Sequence, residues 1–277
     1  MAPERERIDS MATPLLRRAP ASYIALSGAA NVIMQLSWPE IGYGVKDSPV
    51  REGNLLLNPA RRRRTTLGYL AVAIHGTAEE RAAYRRATTR SHAQVRSPPG
   101  ASPSYHALDP ELQRWVAACI FRGFEESYES VHGPLGAHRE PFYREAVIFG
   151  AMLQMPPELW PPDRGAFGEY WRDGLTRVSI DASVRELLMK VVRLDYLPAV
   201  PRPVADRREW LTAGYLPREF REAMGLSWTA GDQGRFERFD ALAARVIRAL
   251  PAAVQGYPLN AALRDVRRRM RSGTPLF

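Results

Sequence analysis

Five histidines carry most of the chain's capacity to ligate a metal or move a proton near neutral pH. His92 is set apart from the rest by its surroundings. It stands near the C-terminal end of the segment Ala78 to Val95, whose small positions are Ala78, Ala82, Ala83, Ala87 and Ala93. A helical surface so poor in large side chains can lie close to something flat and broad, and a neutral imidazole at its end can ligate a metal. The ordinary role of a lone histidine on an arginine-rich helix is a solvated or hydrogen-bonded one, so residue type alone does not choose. His75, His106, His132 and His138 are its rivals, and no pair has the i, i+4 spacing of a helical zinc site. Upstream, Arg62, Thr66 and Tyr69 share one helical face at about 100° per residue, while His75 lies about half a rotation from Thr66.

Two helices with a punctuated corner must position these groups. Thr65 to His75 holds no helix breaker except Gly68, and Gly76 stands where a left-handed C-terminal residue belongs. Thr77-Ala78-Glu79-Glu80 has the capping-box pattern, a hydroxyl at the N-cap and a carboxylate three residues later. The second helix is expected from about Ala78 to Val95.

The whole chain has 277 residues, enough to bury a large core, with 45% hydrophobic and 25% charged residues as in ordinary globular proteins. Its charge of +9 comes from 39 basic and 30 acidic residues, and Lys46 and Lys190 are the only lysines. Arg61 to Arg64 and Arg267 to Arg271 are short basic runs on helices, which reads as solvated faces rather than a nucleic-acid surface. No nucleic-acid partner is expected. Cys119, the single cysteine, permits no intramolecular disulfide and no cysteine zinc cluster. It falls in the apolar run Trp115, Val116, Cys119, Ile120 and reads as a small hydrophobe rather than a thiolate ligand.

No transmembrane helix is expected. The least polar stretch, Ala21 to Leu36, is interrupted by Ser22, Ser27, Gly28, Asn31 and Gln35 and is short for a span. Arg17-Arg18 before it invites an export signal, but Pro20 follows closely and the stretch reads as an internal helix. A cytoplasmic location is expected.

Along the chain, residues 1–20 read as a flexible arm and residues 21–277 as one all-α domain. Ala21 to Trp38 is the first helix, ended by Pro39, with a loop from Glu40 to Asn58. Asp109-Pro110 opens a core helix with Leu112, Trp115, Val116, Cys119, Ile120 and Phe124 at helical spacing. Pro141 to Met155, Arg164 to Gly174, Ala182 to Leu194, Arg207 to Ala213, Pro217 to Met224 and Thr229 to Leu250 follow as helices. Asp195 to Asp206, with prolines at 198, 201 and 203, is a long connection. Met34, Leu36, Ile148 and Met152 are candidate apolar pocket residues.

Several segments together resemble the rubber-oxygenase (latex clearing protein) and MpaB-type haem oxygenase family. They are Asn58-Pro59, Arg62 and Thr66 four apart, Gly76-Thr77, and Ser91-His92-Ala93-Gln94-Val95. The likeness continues in Tyr105 to Val116 and returns in Gly214 to Pro217, Arg221 to Trp228 and Gly256 to Leu259. It runs from about Tyr23 to about Met270. The resemblance implies an all-α helical bundle enclosing a haem pocket, with His92 as the proximal iron ligand of a non-covalently held haem b. Arg62 and Thr66 match the family's paired polar residues near the haem, with roles in catalysis and, for Arg62, in cofactor binding. Dioxygen is the implied co-substrate and the protein an oxidoreductase. The substrate is an apolar small molecule, isoprenoid-like or biosynthetic, undergoing alkene cleavage or hydroxylation. The alternatives are a haem-binding or sensing protein without turnover, or a basic helical protein that binds nucleic acid.

The chain also departs from that family's pattern. Trp38-Pro39 stands where a His-Pro is frequent, and Thr65 where the rubber-cleaving members have a lysine. Their catalytic glutamate has no assigned counterpart among Glu40, Asp47 and Glu52. These departures bear on rubber cleavage itself more than on haem binding.

Overall fold

A computed structural model describes residues 2–50, 54–197 and 199–277, which places Glu52 and Pro198 outside the described residues. The described chain is all-α: it has no strand, only an isolated antiparallel bridge between Arg96 and His106. The helices in order are α1 (Ala2–Asp9), α2 (Ala21–Leu36), α3 (Pro39–Lys46), α4 (Pro59–His75) and α5 (Ala78–His92). Then come α6 (Pro110–His132), α7 (Arg139–Glu145), α8 (Val147–Ala151), α9 (Arg164–Thr176) and α10 (Ala182–Arg193). The last are α11 (Arg202–Tyr215), α12 (Arg218–Met224), α13 (Ala230–Ala249), α14 (Ala252–Gln255) and α15 (Leu259–Ser272).

α6 is the axis of the domain. Its apolar positions recur on more than one side, so Ala117, Ala118 and Cys119 are fully buried and neighbours pack all round it. α2, α8 and α13 lie against it. Asp109 caps it by accepting the Glu111 amide at 2.8 Å, with Pro110 at the first helical position, where its missing N–H costs nothing. Trp115 on α6 stacks between Trp38 and Trp171, with ring centroids 4.6 and 5.0 Å away. Trp38 thus belongs to the core, and its indole N–H donates to the Gly174 carbonyl at 2.9 Å.

Several boundaries differ from the sequence expectation. Pro39 does not lead into a loop; it opens α3, because proline is tolerated in a first helical turn. For the same reason α11 begins at Arg202 and takes Pro203 into its first turn. The helix expected over 141–155 is two, α7 and α8. They part at Ala146, next to Glu145, whose carboxylate turns away to accept the Leu15 and Leu16 amides at 3.0 and 2.8 Å.

Residues 1–20 read as an arm from sequence. In the structure Ile8 and Leu16 are buried, Asp9 forms an ion pair with Arg85, and Thr13 donates to the Ile74 carbonyl at 2.5 Å. This segment is docked on α4, α5 and α8.

Gly76 is extended (φ −70°, ψ 156°) rather than left-handed, since the chain must straighten to enter α5 through Thr77. A glycine is still required there, because a Cβ would lie 2.5 Å from the Val72 carbonyl oxygen.

Candidate active site

α5 is capped at its start and tied to α4 along its length. At the start of α5 the capping box forms as its residues dictate: Thr77 Oγ1 accepts the Glu80 amide at 3.2 Å and Glu80 accepts the Thr77 amide at 2.9 Å. Glu80 also holds Arg267 of α15 at 2.7 Å. Farther along, the Tyr84 hydroxyl donates to the Thr65 carbonyl at 2.6 Å. Gly68 makes that crossing possible, because a Cβ there would meet the Tyr84 oxygen at 2.6 Å. α5 ends at His92 rather than Val95. The chain turns there into the bridge at Arg96 and His106, with Ala107 donating its amide to the Val95 carbonyl at 2.9 Å.

This pair forms one wall of a cavity of about 930 Å³. Arg62, Thr66, Tyr69 and His92 all line it, so the face inferred from helical spacing and the histidine near the end of the next helix meet in one space. α2 forms another part of the wall through Ser27, Gly28, Asn31 and Gln35. These are the polar and small residues that interrupt its apolar run. The Gln35 amide donates to Asn31 Oδ1 at 2.7 Å, and Asn31 Nδ2 donates to the Cys119 carbonyl at 2.7 Å. α6 supplies Leu112, Val116, Ile120 and Phe124, and the tail residues Pro275, Leu276 and Phe277 close one side. Of the apolar residues expected for the pocket, Leu36 lines it, whereas Met34, Ile148 and Met152 are core side chains and are not among the lining residues.

Burial and the positive charge of Arg62 push the His92 imidazole down to a pKa of about 4, so it is neutral at pH 7. Its Nδ1 is buried without a hydrogen-bond partner. By surface area His92 and Arg62 are only half-buried, yet solvation is lost at both; their accessible surface belongs to the cavity wall. Burial also lowers the pKa of Arg62, with Tyr84 acting weakly against this, and no carboxylate pairs with it among the described residues. Thr66 is exposed on the same face. Among the described residues Glu40 is the one acid in the wall: it meets Arg177 at 3.1 Å through Oε1, while Oε2 is buried and unpartnered. Asp47 is not part of the wall and pairs with Lys46 at 2.8 Å.

The other histidines are disposed differently. His106 lines the cavity but is exposed. His75 faces Arg17, Arg81 and Arg267, outside the cavity. His132 meets the Arg18 carbonyl at 3.0 Å and His138 is exposed. Among the described residues no three His, Cys, Asp or Glu side chains gather into a metal cage. Sequence reasoning did not single out Asn31 and Gln35 as lining residues, though their i, i+4 spacing in an apolar helix is a signal. Nor did it separate Arg61, Arg63, Arg90 and Arg208 from the general arginine background, and all four line the cavity.

No helix of the described residues is long and apolar enough to cross a membrane. The chain is 44% identical over 247 residues to "Uncharacterized protein Mb2261" of Mycobacterium bovis, a match that covers 88% of this chain and 97% of the relative. It has the same identity and coverage with "Uncharacterized protein Rv2237" of Mycobacterium tuberculosis. No solved structure gives a significant match. Residues 17–249 match the family described as "ER-bound oxygenase mpaB/B'/Rubber oxygenase, catalytic domain", a stretch that includes the cavity-lining faces of α2, α4, α5 and α6, and the chain belongs to that family of oxygenase catalytic domains.

Proposed function

We propose that the cavity holds haem b on His92 and that the protein is a haem-dependent oxygenase acting on an apolar small molecule, with dioxygen as co-substrate. The observation that carries this reading is the neutral imidazole of His92, with an unpartnered buried nitrogen, on the wall of a large and mainly apolar cavity. No cluster of donors for a bare metal ion gathers here among the described residues, but one buried imidazole would suit a macrocycle that brings its own four nitrogens. The volume of about 930 Å³ also leaves space beside such a group for a substrate. When bound, haem would supply the iron at which dioxygen is activated.

The chain's own groups have definable parts in this reading. His92 is held neutral by burial and by Arg62, so its lone pairs stay available at neutral pH. Arg62 holds a carboxylate or another anion beside it, and a charge-assisted bond there is strong because the site is shielded from water. Thr66 offers a hydroxyl on the same face, and Asn31 with Gln35 presents amides from α2. Among the described residues Glu40 supplies the carboxylate of this cavity, and its Oε2 is free of a partner. The Val116, Ile120 and Phe124 wall excludes water and accepts hydrocarbon.

Absorption spectra of the haem-loaded protein test this reading. The wild type should bind haem with a strong Soret band, while His92→Ala loses stable binding and keeps its helical circular dichroism. Arg62→Gln should retain haem less well than Arg64→Gln, because Arg64 is not among the lining residues. A wild-type spectrum and stoichiometry in His92→Ala would move the ligand to His106, the other histidine of the wall. Haem binding without substrate-dependent oxygen uptake would make the protein a carrier or sensor.

A further inference from the structure

Among the described residues the charges around the cavity do not balance. Five arginines of that set line it, Arg61, Arg62, Arg63, Arg90 and Arg208, against one acid, Glu40, whose partner is Arg177. Elsewhere the same chain pairs its arginines readily: Arg164 with Glu125 at 2.8 Å, Arg193 with Glu209 at 2.5 Å, Arg267 with Glu80 at 2.7 Å. Of the five, Arg208 donates to the Val192 carbonyl at 2.9 Å, and the other four have no carboxylate partner among the described residues.

Arg61 and Arg62 lie in the first turn of α4, where the unpaired amides and the helix dipole add positive potential and no acidic residue offsets it. Arg90 lies in the last turn of α5 and, like Arg63, is exposed, while Arg61 and Arg62 are half-buried. The guanidinium groups therefore run from the surface into the cavity, and beyond them the wall is apolar, with Val32, Leu67, Val116 and Phe124.

Resting on the haem reading above, we propose that the substrate is an amphipath, a hydrocarbon chain with an anionic head, whose head docks on Arg61, Arg63 and Arg90 while its chain extends into the apolar interior. The two propionates of a haem would offset two of the four guanidinium groups, Arg62 beside His92 among them, and two positive charges would remain on the rim for a further anion. Guanidinium binds carboxylate and phosphate oxygens alike, so the shared chemistry is the oxyanion head. An all-polar anion such as a sugar phosphate would leave the apolar wall unused, and a neutral hydrocarbon would leave the rim charges unused.

Calorimetric titration with four molecules of equal chain length tests the proposal: a medium-chain unsaturated carboxylate, the corresponding alkyl phosphate, the alcohol and the parent alkene. Each is titrated into the haem-loaded and the haem-free protein. The carboxylate or the phosphate should bind about tenfold or more tighter than the alcohol, and whichever binds tighter identifies the head. Added salt should weaken the anions and leave the alcohol unchanged. In Arg63→Gln/Arg90→Gln the preference should shrink about fivefold or more. Both positions are exposed, so the fold should persist, and Arg245→Gln on exposed α13 surface should change nothing.

Equal binding of alcohol and anions, or a full preference retained in the double variant, would overturn the proposal. The two readings fail separately. Anion preference in a protein that takes up no haem removes the cofactor and keeps the head site, and haem uptake without any preference does the reverse.

Discussion

His92 and His75 are both held uncharged at neutral pH, by burial first and by neighbouring arginines second: Arg62 for His92, and Arg17, Arg267 and Arg81 for His75. Each is pushed from 6.5 to about 4. Between those values the unfolded chain binds more protons than the folded one, so each histidine contributes stability that is present above about pH 6.5 and lost as pH falls towards about 4. His75→Gln and His92→Gln should each lose less melting temperature than the wild type over that interval, as read by circular dichroism melts at a series of pH values. A wild-type slope in both variants would mean that neither imidazole is desolvated. Under the proposed haem reading the same depression would keep a lone pair on His92 available, because a protonated imidazole offers none.

At the scale of the element, α5 works as a lever: it is fixed at its start and carries His92 at its end. The fixing is local chemistry, the reciprocal box of Thr77 and Glu80, extended to α15 through Arg267. Thr77→Ala removes the cap and should cost about 1 kcal/mol of stability in denaturant unfolding. Glu80→Ala should cost more, because it also leaves the Arg267 guanidinium and the Thr77 amide without their acceptor. Ligand binding at the far end of α5 should survive Thr77→Ala. The Tyr84 hydroxyl on Thr65 and the close approach at Gly68 still hold the two helices together. A Thr77→Ala protein that is as stable as wild type would show that the cap is redundant with packing.

For the whole molecule, the cavity is backed by a closely packed aromatic core. The stack of Trp38, Trp115 and Trp171 ties the start of α3, α6 and α9 together behind the cavity wall. It closes only because position 174 is glycine: a Cβ there would stand 2.3 Å from the Trp115 ring. Gly174→Ala should therefore destabilise the fold by about 1–3 kcal/mol through overpacking, measured by thermal or denaturant unfolding. Its effect on ligand affinity should follow from the displacement of α6 rather than from any contact with the ligand. An alanine variant of wild-type stability would show that α9 can shift without cost.

Much of this was legible in the chain alone, because it depends on local periodicity and on residues close in sequence. The helical class, the caps at Thr77 and Asp109, the burial of Cys119 and the common face of Arg62, Thr66 and Tyr69 all belong here. So does the family, whose signature is a set of short motifs in order. Proline boundaries are not legible in this way: Pro39 and Pro203 lie in first helical turns, since the same residue ends one helix or begins the next according to where neighbouring elements need the chain to go. Only the tertiary structure decided which arginines face a cavity and which meet a carboxylate. Arg62 and Arg85 look alike in sequence, but Arg85 finds Asp9 from the docked N-terminal segment and Arg62 finds an apolar space. The same holds for Asn31 and Gln35, which interrupt an apolar helix for a reason that exists only once α4 and α5 stand near α2. A side chain's partner is set by which elements pack beside it, and that is information no short window of sequence contains.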